Sequence, residues 1–202
     1  MIGPYVITEL ESNISLEPSQ MDNNIYKNLK QNLINRLEGK CYREFGYIAK
    51  IYEIKEYSDG YITAENPKAA ASFKVKFTCK LCFPLKRRQL VCKIDKSNKL
   101  LMRLVNGPIN VIVTMDRINK SVFFQDPRTG LLMTKKNDKT IIVSPGTYVK
   151  VTVESRTFND TDTIIMAMGF LDSLATDEEI KENYSNEYGS DKIINFKEYI
   201  DQ

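Results

Sequence analysis

Three of the four cysteines lie in one short segment, "CKLCFPLKRRQLVC" (residues 79–92), and the first two have the C-x-x-C spacing of zinc and redox sites. A structural zinc site needs four ligands, usually two such pairs or one pair with histidines. The sequence contains no histidine, and only Cys41 and Cys92 are left to complete a site. The number of available ligands therefore favours reduced structural thiols, and no metal site is predicted.

The overlapping segment "SFKVKFTCKLCF" (residues 72–83) alternates apolar and polar residues almost without a break. Such alternation is typical of a β-strand with one buried face, in which successive side chains point to opposite sides. Cys79 and Cys82 are three residues apart, so a regular strand directs them to opposite faces. They could converge on one ion only if the strand bulged.

The absence of histidine excludes a Ser-His-Asp triad, a Cys-His dyad and an H-E-x-x-H zinc site. The sequence also lacks G-x-x-x-x-G-K-S/T and G-x-G-x-x-G, so no loop for a nucleotide phosphate is evident. We therefore predict no catalytic residues and no cofactor. An enzyme is the least favoured class.

The chain is expected to be intracellular. No stretch approaches the roughly 18 apolar residues of a membrane span, and the start, "MIGPYVITELESN", resembles no secretory signal. Four cysteines in a reducing compartment would remain thiols, which agrees with this interpretation. No membrane association is predicted.

The net charge of +3 conceals a segregation along the chain. Residues 81–156 contain 15 Lys and Arg against 5 Asp and Glu, a balance of +10, whereas residues 157–202 contain 3 against 11, a balance of −8. Residues 1–80 are nearly neutral at +1. This division indicates a neutral docking part, a basic part for a polyanion and an acidic tail.

The first part has the pattern of a mixed α+β unit. Apolar residues at helical spacing follow Asn24, a candidate N-cap, and continue to Leu37, after which Gly39 offers a left-handed stop. Strand-like stretches precede this helix at "YVITEL" and follow it at residues 46–54 and 72–83.

From residue 89 onward, many short strand-like stretches are separated by turns such as Asn106-Gly107-Pro108 and Pro145-Gly146. This pattern, with no long helix, predicts a small antiparallel barrel or sandwich. Beyond residue 173, a capping box at Thr176–Glu179 predicts a short helix that "SNEYGSDK" (residues 185–192) interrupts. We expect this tail to be partly disordered, or ordered only against a partner.

Three segments follow one another along the chain: "LEGKCYREFGYIAKI", "FKVKFTCKLCFPLKRRQLVCKI" and "NGPINVIVTMDRI". Their order, over about residues 5–170, resembles that of the stalk subunit of multisubunit RNA polymerases. That family includes the seventh subunit of eukaryotic RNA polymerase II, its archaeal counterpart known as E-prime and versions carried by large cytoplasmic DNA viruses.

The resemblance implies an α+β N-terminal tip domain (ribonucleoprotein-like), residues 1–84, followed by an all-β S1-type OB barrel, residues 85–171. Residues 172–202 would form the acidic C-terminal tail. The tip would dock on the core polymerase near the clamp, and the barrel would touch nascent RNA. Implied partners are the core polymerase subunits, nascent RNA and, as in cellular enzymes, a helical fourth-subunit-like stalk partner.

The docking surface implied by the resemblance lies in two loops of the tip. Its candidate residues are Tyr42, Arg43, Phe45, Gly46, Tyr47, Tyr57 and Gly60. The strand ending at Phe83-Pro84 would carry the chain from the tip to the barrel.

The candidate RNA-binding residues come from the basic part of the chain, because a concentrated positive field attracts phosphates. They are Lys86, Arg87, Arg88, Lys93, Lys96, Lys99, Arg103 and Phe124. Phe123 and Phe124 are adjacent in a strand, so one of them should face outward and could stack on a base, although core packing is the more common role of such aromatics.

Two departures from the family pattern bear on this surface. Arg87-Arg88 stands where the family usually has a Gly followed by an acid, and the second barrel strand, "SNKLLMRLVN", lacks the usual Gly and aromatics. Stacking contributes about 1–3 kcal/mol per base, so its loss would leave a weaker, salt-sensitive and sequence-blind contact.

Two alternatives from other classes remain open. One is a stand-alone S1/OB RNA-binding protein that works in translation or decay. The other is a purely structural polymerase assembly subunit whose barrel does not contact RNA, which the missing aromatics favour. The polymerase interpretation implies a nuclear location for a cellular protein, or the host cytoplasm and virion for one encoded by a large cytoplasmic DNA virus.

Overall fold

The computed structural model describes residues 3–64, 67–126, 129–136, 139–188 and 193–200. Its first part is a four-stranded antiparallel sheet, here called the tip sheet, with strand order β1-β4-β3-β2. The strands are β1 (Tyr5–Leu16), β2 (Cys41–Tyr42), β3 (Gly46–Tyr57) and β4 (Ala71–Cys82).

One helix, α1 (Ile25–Leu37), packs on the tip sheet through Leu29, Leu33 and Leu37. The spacing of these leucines, four residues apart, places them on one helical face. Gly39 has a φ of +80°, the left-handed conformation predicted for the residue that stops the helix. Asn24 precedes the helix as predicted, but its side chain makes no capping hydrogen bond.

Strand β4 is buried on both faces in its second half. Phe77, Cys79 and Leu81 point into the core beneath α1, as the alternation predicted. On the opposite face Lys80 and Cys82 are also buried, and Cys82 belongs to the core of the next domain. The prediction that Cys79 and Cys82 point to opposite faces is therefore confirmed.

A closed five-stranded barrel follows the tip sheet, with strand order β11-β12-β7-β6-β5. Its strands are β5 (Gln89–Ser97), β6 (Leu101–Asn106), β7 (Ile109–Thr114), β11 (Tyr148–Thr157) and β12 (Ile165–Leu174). All neighbouring strands are antiparallel except β7 and β12, which are parallel. The predicted order of an α+β domain and an all-β OB-type barrel is thus confirmed.

Three short strands are inserted between β7 and β11: β8 (Phe123–Gln125), β9 (Leu132–Lys136) and β10 (Lys139–Ile142). They form a separate sheet against the barrel. Phe123 is 1% exposed in the barrel core, whereas Phe124 is 40% exposed. This confirms that one of the two adjacent phenylalanines faces outward.

The tip and the barrel are joined by the loop between β11 and β12. The N–H of Cys41 donates to the carbonyl oxygen of Asp162 at 2.6 Å, and the N–H of Thr161 donates to the carbonyl oxygen of Cys41 at 2.9 Å. The N–H of Arg43 donates to the Asp160 carboxylate at 3.0 Å. OB barrels commonly use this loop to hold ligands, but here it holds the tip.

The tail forms helices α2 (Asp177–Tyr188) and α3 (Phe196–Ile200). The capping box is present, with Thr176 and Glu179 each bonded to the other's backbone N–H. The helix continues to Tyr188, beyond the interruption predicted from Ser185, and residues 189–192 lie outside the described residues. No helix within the described ranges is long and apolar enough to cross a membrane.

Residues 193–200, here called the C-terminal strap, return to the tip. The N–H of Ile194 donates to the carbonyl oxygen of Ile7 at 2.7 Å, and Phe196 and Tyr199 are buried in the tip core. The Tyr199 hydroxyl lies 3.0 Å from the Phe83 carbonyl oxygen, to which it donates. The expectation of a partly disordered tail is therefore wrong for this segment, because its two aromatic residues have a groove of their own chain to fill.

Candidate functional site

The basic run between the two domains lines a cavity of about 480 Å³. Lys86 and Arg87 are exposed and Arg88 is half-buried, and Arg156 reaches the same cavity from the end of β11. No Asp or Glu is among the described residues that line it. A cavity lined by four cations is suited to a phosphate or another anion.

The backbone of Arg87 adopts a left-handed conformation, with φ of +62°. This conformation places the Arg87 N–H 2.7 Å from the carbonyl oxygen of Val153, to which it donates. A side chain in this region costs about 1–2 kcal/mol, which a glycine does not incur. The glycine that the resemblance implies at this position would adopt the conformation without that cost, whereas Arg87 adopts it with a charged side chain.

Arg156 was not among the candidate residues, because it lies near the end of β11, far along the chain from the basic run. Its guanidinium lies 3.9 Å from the centre of the Phe83 ring and donates to the carbonyl oxygen of Pro84 at 2.9 Å. Burial lowers the pKa of this guanidinium from its usual value, but arginine remains charged because that value is so high. Arg156 therefore adds a fixed charge to the cavity.

The remaining basic candidates lie elsewhere on the barrel. Lys93 is in the middle of β5, 6.0 Å from the centre of the Tyr148 ring. Lys96 and Lys99 are exposed at the far end of β5, where Arg103 pairs with Asp95. Strand β5 has nine residues and spans about 30 Å. The basic candidates at its two ends therefore form two separate groups.

Phe124 lies at the same far end as Lys96 and Lys99. The Lys99 side chain crosses Gly130, which belongs to the turn after β8, and Gln125 donates to the carbonyl oxygen of Gly130 at 2.9 Å. The neighbouring strands β6 and β7 turn only aliphatic and polar residues outward. Phe124 is therefore an exposed aromatic at this end that could stack on a base.

Four of the docking candidates are buried or half-buried within the chain. Tyr42 is buried and donates its hydroxyl proton to the carbonyl oxygen of Glu11 at 3.0 Å. Phe45 is half-buried, with its ring centre 5.2 Å from that of Phe196 in the C-terminal strap. Gly46 has a φ of +106° and passes so close to the Cys82 carbonyl that a Cβ would lie 2.7 Å from the oxygen. Tyr47 is partly buried against the barrel core.

The other docking candidates are exposed. Arg43 is accessible beside the joint, and Tyr57 is 47% exposed at the far end of the tip sheet. Gly60 lies directly against the Phe73 ring. The same loop exposes Tyr61 at 57% and Ile62 at 56%, two apolar residues that were not among the sequence-based candidates. The sequence signal that could have identified Tyr61 and Ile62 is their position directly after Asp59-Gly60, in the loop that follows β3.

All four cysteines are buried thiols. Burial raises the pKa of Cys41 to about 11 and the pKa values of Cys79 and Cys92 to about 12. These thiols are therefore neutral and unreactive at ordinary pH. Within the described part of the chain, no cluster of three or more His, Cys, Asp or Glu could hold a metal ion.

Comparisons with known proteins relate this chain to subunits of DNA-directed RNA polymerases. Residues 11–67 match the model of the SHS2 domain found in the N terminus of Rpb7p/Rpc25p/MJ0397. The chain is 32% identical over 183 residues to the putative DNA-directed RNA polymerase subunit L376 of Acanthamoeba polyphaga mimivirus, covering 91% of this chain and 89% of that protein.

Cellular relatives match a shorter part. The chain is 27% identical over 116 residues to DNA-directed RNA polymerase II subunit RPB7 of Glycine max, which is 57% of this chain and 65% of the soybean protein. It is also 27% identical over 124 residues to the corresponding subunit of Schizosaccharomyces pombe, which is 61% of this chain and 72% of that protein. The chain thus spans slightly less than two thirds of the soybean relative.

Proposed function

Because this chain belongs to the Rpb7 family of DNA-directed RNA polymerase subunits, we propose that it docks on the polymerase core near the clamp with its tip and contacts nascent RNA with its barrel. Subunits of the Rpb7 type are accessory and non-catalytic. The chain is accordingly a transcription protein without an active site of its own.

The observation that carries the RNA contact is the cavity lined by Lys86, Arg87, Arg88 and Arg156. It lies where the tip meets the barrel, and four of its lining residues are cationic. Phosphate attraction of this kind is independent of sequence, as a general transcript contact requires. Arg87 contributes one of these charges from a strained, left-handed backbone.

Docking on the core is supported by the exposed apolar end of the tip sheet. Tyr57, Tyr61 and Ile62 are each about half exposed in adjoining positions. Aromatic residues in such a patch are typical anchors of protein interfaces. The core subunits are the proposed partners, together with a fourth-subunit-like helical protein where one is present, and the chain would share the location of its polymerase.

The RNA contact is tested by titrating the full chain with fluorescein-labelled single-stranded RNA at several salt concentrations. Arg87→Glu combined with Arg88→Glu should weaken binding at least tenfold and lower the salt slope by about one to two. Lys27→Glu combined with Lys30→Glu changes charge equally on α1 and should bind like the unaltered chain. Equal binding by both double variants would contradict the proposal.

Docking is tested by co-purification. Tyr57→Ala combined with Tyr61→Ala should reduce recovery of the large polymerase subunits with a tagged chain, whereas Tyr26→Ala, which alters an exposed tyrosine on α1, should not. Full recovery with the Tyr57 and Tyr61 variant would show that docking uses another surface.

A purely structural assembly subunit is the second candidate. It is favoured by the outer face of β6 and β7, which carries no aromatic residue, and by the loop between β11 and β12, which contacts the tip. In that case the variant with both Arg87→Glu and Arg88→Glu would bind RNA and crosslink to the transcript as the unaltered chain does. It would still dock on the polymerase core.

A further inference from the structure

The inserted strands β8, β9 and β10 form a small sheet with one covered face and one open face. On the covered face, Phe123 and Leu132 are buried in the barrel core. On the open face, the register places Phe124 opposite Met133 and Met133 opposite Ile142, so one apolar row crosses all three strands. Phe124 is 40% exposed, Ile142 is 49% exposed, and Met133 lies half-buried between them. A continuous apolar row of this kind is typical of an interaction surface.

Two exposed leucines lie next to this row. Leu131 directly precedes β9 and is 46% exposed, and Leu100, in the turn between β5 and β6, is 77% exposed. The Lys99 side chain crosses Gly130, which brings both leucines to the same end of the inserted sheet. The row and the two leucines are here called the insert face. This face lies at the end of β5 that is farthest from the basic cavity.

Basic side chains flank the insert face. Lys135 lies two residues after Met133, and therefore on the same face of β9, and it is exposed. Lys99 is exposed beside the two leucines. Residues 120–140, which contain β8 and β9, hold five Lys and Arg against two Asp. This positive balance favours a partner whose polar side chains are acidic.

The dimensions of the apolar row match those of a helix face. Neighbouring strands lie about 4.8 Å apart, so Phe124 and Ile142 are separated by about 10 Å, with Met133 between them. In an α-helix, apolar residues at positions i, i+3 or i+4, and i+7 share one face and span about 10 Å. A helix that lies across the three strands therefore places one apolar residue over each strand.

The composition of the row favours a protein over a nucleic acid as its occupant. Bases stack on planar rings, and Phe124 is the single ring among the three residues of the row. Met133 and Ile142 offer flexible or branched apolar surface instead. Methionine and aromatic residues are enriched in the buried centre of protein interfaces.

We propose that the insert face binds an acidic amphipathic helix of another protein. Three apolar residues of that helix pack on Phe124, Met133 and Ile142, and its carboxylates lie near Lys99 and Lys135. This gives the barrel a protein-binding surface of its own. The proposal depends neither on the RNA contact nor on docking by the tip.

The test uses a fluorescein-labelled helical peptide of about 18 residues, with leucine along one helical face and glutamate along its flanks. Fluorescence polarisation follows its binding to the full chain. Phe124→Ser combined with Ile142→Ser should weaken binding at least about tenfold, because two anchors of the interface are lost. Met166→Ser combined with Met168→Ser alters two exposed methionines on β12 and should bind the peptide as the unaltered chain does.

The contribution of charge is tested separately. Lys99→Glu combined with Lys135→Glu leaves the apolar row intact and should weaken peptide binding. The loss should be larger at low salt than at high salt, because exposed charges are screened. A peptide of the same pattern with lysine in place of every glutamate should bind the unaltered chain at least about tenfold more weakly.

Three results would overturn the proposal and leave the proposed function standing. The first is no binding of the acidic peptide up to about 1 mM, or binding that the Phe124 and Ile142 variant does not weaken. The second is loss of oligouridine binding in that variant with peptide binding unchanged, which would make the insert face an RNA surface. The third is a dimer of the unaltered chain in light scattering that the same variant abolishes, which would identify a second copy as the occupant.

Discussion

The guanidinium of Arg156 lies 3.9 Å from the centre of the Phe83 ring, so a barrel side chain is stacked on the aromatic residue that follows the last strand of the tip. The same ring contacts Phe158 of the barrel, at 6.3 Å between ring centres, and Phe196 of the C-terminal strap, at 5.2 Å. Three parts of the chain therefore meet at Phe83, which makes the joint between tip and barrel a packed core and not a flexible linker.

Arg156→Ala should lower the free energy of unfolding by about 1–3 kcal/mol, because it removes a partly desolvated cation–π contact and leaves the Pro84 carbonyl without its donor. Urea denaturation followed by circular dichroism measures this change. Arg103→Ala, which removes an exposed arginine paired with Asp95, should cost less than about 1 kcal/mol. Equal losses of unfolding free energy in the two variants would show that the contact between Arg156 and Phe83 stabilises the fold no more than an exposed ion pair does.

Phe196→Ala should destabilise the protein by about 3–5 kcal/mol, as expected for truncation of a buried phenylalanine. Phe196 is 7% exposed and packs between Phe45 and Phe83. Ile193→Ala alters a half-exposed residue of the same strap and should cost less than about 1 kcal/mol. Thermal unfolding of both variants would show whether the strap is an integral part of the tip.

Arg87→Gly should stabilise the fold by up to about 1 kcal/mol, because it relieves the left-handed backbone strain but adds freedom to the unfolded chain. RNA affinity should fall at the same time, because one cation leaves the cavity. Arg43→Gly is the matched control, since Arg43 also has a positive φ, of +47°, but does not line that cavity. A loss of stability in Arg87→Gly would contradict the strain argument.

The buried thiols predict a loss of stability at alkaline pH. In the unfolded chain they ionise near pH 9, whereas burial keeps Cys79 and Cys92 protonated up to about pH 12. The unfolded state therefore releases protons first, and the free energy of unfolding should fall above pH 9 by about 1.4 kcal/mol per pH unit for each such thiol. The free energy of unfolding of Cys92→Ala should fall less steeply above pH 9 than that of the unaltered chain. Identical slopes for the two proteins would exclude thiol ionisation as the cause.

Much of the fold followed from local patterns. The alternation from residue 72 to 83 predicted strand β4 and the opposed directions of Cys79 and Cys82, because a strand has a fixed period of two. The leucine spacing and Gly39 predicted α1 and its end for an equally local reason. Both features depend on residues adjacent in sequence.

Features that depend on distant residues could not be predicted in this way. The register of β3 and β4 places Lys50 opposite Lys80, and the cavity beside Arg87 includes Arg156, which lies 69 positions later. The acidic tail, which includes the C-terminal strap, was expected to be partly disordered or ordered only against a partner, because apolar residues are sparse in it. Phe196 and Tyr199 are nevertheless buried, since the tip supplies the apolar partners that the tail itself lacks.

The most direct test of the RNA contact uses polymerase purified through a tag on this chain and stalled on a template with 4-thiouridine in the transcript. After ultraviolet irradiation, RNA-linked peptides are expected from this subunit, in the basic cavity around residues 85–88. RNA-linked peptides from the core subunits alone, with none from this chain, would contradict it.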